Sequence, residues 1–356
     1  MSYPQLRIDE KKFRYNVRTL NEYCHSKGVQ VHFVTKCLCA YEPLVKIMKE
    51  EGIDKMADSR ILNLKTLRRY AKSVLLTRIP QISEAEDVVR YTDISLNSEL
   101  ATLRALGAAA RNLGKVHTFI VMLEMGDLRE GVEPKDLGAF LEEALKIEGL
   151  HLGGLGANYL CYGGVIPDAA KMEEMAKLRR WAEDTFQQKH DMMSAGNSGN
   201  LPLLFEGVLP PECDELRLGE SYLLGRETSY GARVLDLFQD VFTLRAEIIE
   251  SKEKNSLPTG KVGVNAAGEV QHFDDEGRII RTIVAAGGQD LILSGLTPLD
   301  PRVRYLGNSA DHTIFNTTAV QASPLAIGTH LDFSLNYVAL TAAFTSPYVE
   351  KVLVKN

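Results

Sequence analysis

From residue 30 to about residue 225 the chain repeats one pattern eight times: a short apolar run, then a longer stretch with helical spacing of its apolar residues. The strand-like runs are 31–36, 55–58, 74–78, 94–97, 117–124, 152–158, 192–198 and 215–219. Amphipathic segments 42–51, 59–70, 83–91, 99–113, 134–147 and 168–190 separate most of them, and 14–25 reads as one more helix ahead of the first strand. Strands joined through helices must run parallel, because the crossover returns each strand to the same end of the sheet. Eight such units favour a closed (β/α)₈ barrel over an open sheet, which usually stops at five or six strands. After Gly225 the texture changes. Runs 241–250, 260–264, 279–286, 312–316 and 331–336 are short and broken by Gly, Pro, Asn and Asp, with a hairpin signal at Asp274-Asp275-Glu276-Gly277. The expected division is a barrel over 1–225 and an all-β domain over 226–356.

The bulk properties narrow the function. A hydrophobic content of 45% and a charged content of 25% are those of a soluble globule. A formal net charge of −6 without a basic run argues against nucleic acid as a partner. The first residues lack a signal-peptide layout, and no apolar stretch reaches bilayer-spanning length, so no membrane role is expected. Five cysteines, an odd number, suggest reduced thiols and a cytoplasmic setting. Cys37 and Cys39 form a Cys-x-Cys pair with no second pair or histidine cluster nearby, so no metal site is expected.

In such a barrel the C-terminal strand ends carry the chemistry. Here they read Lys36, Asp58-Ser59-Arg60, Arg78, Asn97, Glu124 with Arg129 soon after, Asn158, Asn197-Ser198 and Arg217-Leu218-Gly219. An amine at the exit of the first strand can form a Schiff base with an aldehyde cofactor. Ser194-Ala195-Gly196-Asn197-Ser198-Gly199-Asn200 after strand seven and Gly219-Glu220-Ser221 after strand eight can build a phosphate cup. A lysine and a phosphate cup on opposite sides of one mouth suit pyridoxal 5′-phosphate. Arg217 would then lie by the pyridine ring, although a salt bridge to Asp214 or Glu215 is the plainer use of it. A guanidinium only donates, so it leaves the ring nitrogen unprotonated and the ring a weak electron sink. That favours removal and return of a Cα proton over transamination.

The chain resembles the alanine racemase-like, fold-type III pyridoxal-phosphate enzymes, within them the ornithine racemase branch. The resemblance covers nearly the whole length and rests on Val34-Thr35-Lys36, Ala57-Asp58-Ser59-Arg60, Gly126-Asp127-Leu128-Arg129-Glu130-Gly131 and Asn158-Tyr159-Leu160-Cys161-Tyr162-Gly163-Gly164. It continues through Gly196-Asn197-Ser198, Glu215-Leu216-Arg217-Leu218-Gly219-Glu220, Asn308-Ser309-Ala310-Asp311-His312 and Asn336-Tyr337. It implies a head-to-tail homodimer in which each site is completed by the partner's β domain. Lys36 matches the Schiff-base lysine, Arg129 an arginine beside the cofactor and Arg217 the arginine on the ring nitrogen. Ser198 and Gly219 match phosphate ligands, flanked by Asn197 and Glu220. Asn158 stands where alanine racemases place a histidine, and Tyr337 matches a tyrosine near the phosphate. Ala310, with Asp311 beside it, matches a position that reaches the substrate carboxylate.

Two departures bear on the activity. The tyrosine that alanine racemases carry close after the lysine falls near Ala40, with Tyr41 only approximately aligned. Their second base is a tyrosine in a Ser-Tyr-Gly turn, and the corresponding Gly260-Lys261-Val262-Gly263-Val264-Asn265 has none. His312, Asp311, Tyr230 and Cys161 are the candidates for that second base, His312 first because a histidine titrates near neutrality. The expected activity is racemisation of a free amino acid, ornithine or another basic one, with Asp290 and Asp311 as possible partners of a terminal ammonium. Plain alanine racemisation, a lyase of the decarboxylase or D-threonine-aldolase type, and a non-catalytic cofactor carrier are the alternatives.

Overall fold

The computed structural model describes residues 2–264, 268 and 270–355. The chain forms two compact units, one of residues 12–239 and one of 1–11 with 240–356. The β unit therefore claims the first residues of the chain, and the barrel unit runs on past Gly225. The first strand, β1 (Gln5–Asp9), belongs to the β unit and had no counterpart in the sequence reading.

In the barrel unit, α1 (Glu10–Ser26) buries Phe13, Val17, Leu20 and Cys24, a stripe at helical spacing. Then come β2 (Gln30–Val34), α2 (Glu42–Glu50), β3 (Lys55–Asp58), α3 (Ile61–Leu67), β4 (Ser73–Leu76), α4 (Ala85–Tyr91) and β5 (Ile94–Asn97). They are followed by α5 (Leu100–Asn112), β6 (His117–Leu123), α6 (Leu137–Ala144), β7 (Leu150–Ala157) and α7 (Ala169–Phe186). The unit ends with β8 (Met192–Ser194), α8 (Leu201–Glu206), β9 (Glu215–Leu218) and α9 (Glu220–Leu224). Strands β2 to β9 close into an eight-stranded parallel barrel. Each expected strand is present.

The differences have local causes. Strand β8 stops at Ser194 because Gly196 turns left-handed (φ 139°) and Asn197 caps the next turn. Helix α3 starts late because the Asp58 carboxylate accepts the N–H groups of Ser59 and Arg60. Closure sets β9 beside β2, with His32 opposite Arg217. The strand-eight part of the expected cup thus neighbours the lysine's strand instead of facing it across the mouth. Val34, Ala57, Leu75, Ile94, Leu96, Ile120 and Met122, from five consecutive strands, join in one apolar cluster. The β8–β9–β2 side of the barrel is polar instead, around His32, Ser194, Glu215 and Arg217.

The β unit contains β10 (Phe242–Asn255), β11 (Arg278–Val284), β12 (Leu296–Pro298), β13 (Arg304–Asn308), β14 (Thr313–Asn316), β15 (His330–Leu335), α10 (Tyr337–Thr345) and β16 (Glu350–Val354). Its sheet runs β12-β15-β10-β11-β14-β13, all antiparallel neighbours, while β1 pairs antiparallel with β10 and parallel with β16. The expected strand at 260–264 is absent: only Val264 bridges, to Val270. Asn265, which closes the stretch without a tyrosine, lies outside the described residues. Strands β10 and β11 pair up to Asn255 and Arg278, so 274–277 is the last turn of a long connection and not a tight hairpin. Helix α10 was not foreseen; Asn336 caps it by accepting from the Ala339 N–H at 3.0 Å. Among the described residues no helix is long and apolar enough to cross a membrane.

Candidate active site

Lys36 follows a strand whose exit is pinned on two sides. Thr35 Oγ1 donates to Asp58 Oδ2 at 2.7 Å and to the Ala57 carbonyl at 3.2 Å. Asp58 is fully buried and also accepts from Ser59 N, Arg60 N and Asn63 Nδ2 at 2.7–3.0 Å. Burial pushes its carboxyl up, against the pull of these donors. On the other side the Tyr222 hydroxyl donates to the Val34 carbonyl at 3.0 Å, and its ring packs edge-on against Phe33, centroids 5.2 Å apart. Thr35 is therefore immobilised in the core, whereas Lys36 is exposed. Its Nζ has no hydrogen-bond or ion-pair partner among the described residues. That is a rigid backbone carrying a free amine.

Arg217, on β9, is 4% exposed and heavily bonded. Its Nη1 donates to the Ser194 carbonyl at 3.1 Å and to the Ser194 hydroxyl; its Nη2 donates to the Ala157 carbonyl at 2.6 Å and to Asn158 Oδ1 at 2.9 Å. Four of its five N–H groups are so engaged. Only Nε–H has no partner among the described residues. Burial pushes the guanidinium down, opposed by the charge of Glu215. The expected salt bridge to a neighbour in sequence does not form: Asp214 pairs with Arg179 at 2.8 Å, and Glu215 bonds His32 Nδ1 at 2.9 Å and the Ser194 hydroxyl.

Asn158 extends this network outward. Its Nδ2 donates to Glu130 Oε1 at 2.5 Å, and Arg129 grips the same carboxylate through Nε and Nη2. This bond raises the Arg129 guanidinium above its ordinary value, with Cys161 and Asp127 adding to it. The loop bearing Arg129 is fixed from within. Asp127 Oδ2 accepts from Cys161 N and Tyr162 N, each at 3.0 Å, and Gly163 N donates to the Asp127 carbonyl at 2.8 Å. Gly131 has φ 152°, and a Cβ there would come within 2.3 Å of Glu124 N, so only glycine lets the loop close.

The two cup loops meet through hydroxyls. Ser198 Oγ lies 3.1 Å from Ser221 Oγ and accepts from Ser221 N at 3.3 Å, both side chains being buried. Asn197 caps the turn through Gly199 N at 2.9 Å and ties it to the Tyr159 carbonyl at 2.7 Å. Gly219 stands at the N-terminus of α9, while the Glu220 carboxylate turns to Arg226 at 2.7 Å. Thr228 Oγ1 is buried beside Gly199 without a partner among the described residues. Cys161, exposed, bonds the Tyr159 carbonyl at 3.3 Å, and Tyr230 is exposed with its N–H on Glu227.

In the β unit, Ala310, Asp311 and His312 sit together and exposed on the tip between β13 and β14. His312 is in this turn and not in the strand. The tip is held by backbone: Ser309 N donates to the His312 carbonyl, and Gly288 N and Gln289 N donate to the Ser309 and Ala310 carbonyls, at 2.9–3.0 Å. A Cβ on Gly287 would meet the Ala310 carbonyl at 2.3 Å, which explains the glycine. Tyr337, half-buried, opens α10 on a separate element. Asp290 accepts from the Ser346 hydroxyl at 2.6 Å and so holds the end of α10, leaving Asp311 as the freer carboxylate. Sequence reasoning missed Tyr222, gave Glu130 no role within its motif, and placed Ser194 and Ser221 in the cup loops without foreseeing their bonds to Arg217 and Ser198, because each acquires its meaning from a partner distant in the chain.

Residues 8–226 match the family described as alanine racemase, N-terminal domain. An ornithine racemase of Acetoanaerobium sticklandii is 41% identical over 99% of this chain and the whole of that protein. A lysine racemase of Thermotoga maritima is 33% identical over 99% of each. The fold is also that of an alanine racemase from Bartonella henselae solved with covalently bound pyridoxal phosphate: TM-score 0.75, 14% identity, 99% of this chain and all of that one.

Proposed function

Because the chain belongs to the alanine racemase N-terminal domain family, we propose that it is a cytoplasmic pyridoxal 5′-phosphate-dependent racemase of basic amino acids, ornithine foremost. The substrate class is supported by its likeness to an ornithine racemase and a lysine racemase over nearly full length. The observation that carries the cofactor is Arg217, a buried guanidinium with four donors spoken for and one left to meet a ring nitrogen. The free amine of Lys36 and the spare buried hydroxyl of Thr228 beside the strand-eight and strand-seven loops fit the aldehyde and phosphate of the same group.

When bound, pyridoxal phosphate draws electrons from the substrate's Cα–H bond and so makes that proton removable. Their placement supports the following roles for the chain's own residues. Lys36 would hold the cofactor's aldehyde carbon through its ε-nitrogen, and the same nitrogen as a free amine would take the Cα proton on one face. Thr35 and Asp58 keep that amine at a fixed point by anchoring the backbone behind it. Ser198, Asn197, Gly219 and the turn beginning at Glu220 would hold the phosphate. Arg217 would donate from Nε to the ring nitrogen and cannot release its proton, which would keep the ring a weak electron sink and disfavour transamination. Arg129, held by Glu130, would supply a fixed cation beside the cofactor.

For the second face we assign the proton donor to His312. Asp311 and the Ala310 N–H would receive the substrate, and Tyr337 the phosphate side, all delivered by the β unit of a second copy in a head-to-tail homodimer. The test is a panel of pure L- and D-amino acids followed by polarimetry, ornithine first. Loss of optical rotation with ornithine or lysine is expected, and borohydride reduction should fix the cofactor on Lys36. Inversion of none of them, or a label on another residue, overturns the reading.

A further inference from the structure

We propose that Glu130 is a positioning residue of this site, one carboxylate that locks Arg129 and, through Asn158, the buried Arg217 into a single oriented unit. The inference rests on the functional reading above and assigns it a part that the sequence motif alone left without a role.

The directions of the bonds are forced by chemistry. Arginine can only donate, so Arg217 Nη2 must face the oxygen of the Asn158 amide. A carboxylate only accepts, so the Asn158 Nδ2 must face Glu130. Asn158 is thus held in one of its two flips by partners on both sides, with no freedom to exchange oxygen for nitrogen. Arg129 binds the remaining valences of the same carboxylate in the bidentate geometry that makes such pairs strong. Glu130's side chain is 16% exposed and Arg129's 35%, so the pair is screened less than a surface ion pair.

Two guanidinium groups therefore approach one region of the barrel mouth with Glu130 as the anion between them. Without it, the two cations repel and Asn158 loses the acceptor that fixes its amide. Arg217 would then be free to spend Nε on protein atoms instead of the ring nitrogen. Glu130→Gln is the sharp probe: Asn158 Nδ2 and Arg129 Nη2 share Oε1 while Arg129 Nε uses Oε2, and a glutamine has only one oxygen to offer. With the amide oxygen in the Oε1 place Arg129 Nε faces an N–H₂ group; with it in the Oε2 place Asn158 and Arg129 Nη2 both do.

The experiment compares wild type, Glu130→Gln, Asn158→Ala and the double variant, each purified and offered pyridoxal phosphate. The readouts are thermal midpoint, cofactor dissociation constant, the pH midpoint of the bound cofactor's visible absorption, and kcat and KM for ornithine. With the thermal midpoint nearly unchanged, Glu130→Gln should bind the cofactor about tenfold more weakly. Its absorption midpoint should move to lower pH, because a lost carboxylate disfavours positive charge nearby. Its kcat should fall more than its KM rises. Acting through Asn158, its effect should be non-additive with Asn158→Ala, the double variant resembling the worse single one. Wild-type uptake of the cofactor with an unmoved midpoint and unchanged kcat in Glu130→Gln overturns this inference alone, as do strictly additive effects. Failure of the wild type to take up the cofactor overturns the functional reading and this one with it.

Discussion

The barrel unit and the β unit hold their chemically active groups in opposite ways. At the barrel mouth, side chain binds side chain: Arg217, Asn158, Glu130 and Arg129 form one chain, and Ser198 and Ser221 another, largely out of water. On the tip at 308–312 the backbone carries most of the bonds into the unit, with Asn308 accepting from the Tyr305 hydroxyl at 2.6 Å and His312 Nδ1 3.4 Å from Ser309 Oγ, and Asp311 and His312 are exposed. Buried polar networks are costly unless complete, but once complete they fix orientation to within a bond angle. An exposed tip costs nothing to present and gains its setting only when something closes over it. The first arrangement suits groups that must aim at a cofactor; the second suits groups lent to another chain's site.

The comparison can be broken at Lys36, whose Nζ has no partner among the described residues. Lys36→Ala should lower racemisation by about 10³-fold or more while moving the thermal midpoint by less than about 2 °C, since its Nζ bonds nothing among the described residues. Residual activity within tenfold of the parent would remove it from the mechanism.

The stability cost of buried polar groups shows next at His117, whose Nε2 lies 2.8 Å from Ser95 Oγ. Burial pushes it from 6.5 down to about 4. Between those values the unfolded chain binds a proton that the folded chain refuses, so stability rises with pH across this window and is lost as pH falls through it. The loss from pH 6.5 to 4 should approach about 3 kcal/mol. Urea unfolding of His117→Gln should lack that part of the slope; an identical slope would show that the histidine is not buried neutral.

His312→Ala tests the exposed side. Racemisation should fall about 10²-fold, with Cα deuterium exchange slowed from one enantiomer more than from the other, and the unfolding midpoint unchanged. Full activity in both directions would take His312 out of the second-base role. The smallest effect belongs to Tyr222→Phe, which removes one buried bond to the Val34 carbonyl. It should cost about 1 kcal/mol of stability and lower kcat only slightly, since Thr35 remains tied to Asp58.

Much of this was legible in advance because the relevant signals are local. The β-branched runs and their helical spacers placed every barrel strand, and of the polar residues at the strand ends Arg129, Asn158 and Arg217 join one hydrogen-bonded chain through Glu130. The misses are non-local. Residues Gln5–Asp9 look like any short strand, and nothing near them tells that they pair with residues at Phe242–Asn255 and Glu350–Val354. The 260–264 run has strand-like composition but no pairing partner beyond Val270 among the described residues. The apolar run at Tyr337–Thr345 becomes a helix through its Asn336 cap, which is easily overlooked after a strand. Arg217 was given two possible uses, and packing chose neither acidic neighbour.

The order of elements, and with it the parallel barrel, was determined by the sequence alone, since helix-linked strands of that spacing have few other ways to bury their apolar faces. So was the kind of residue at each strand end. Which of those residues touch was decided only when the barrel closed. A hydrogen bond reaches about 3 Å in space but has no limit along the chain. Residues 130, 158 and 217 thus became neighbours through the curvature of the sheet, which no local pattern encodes.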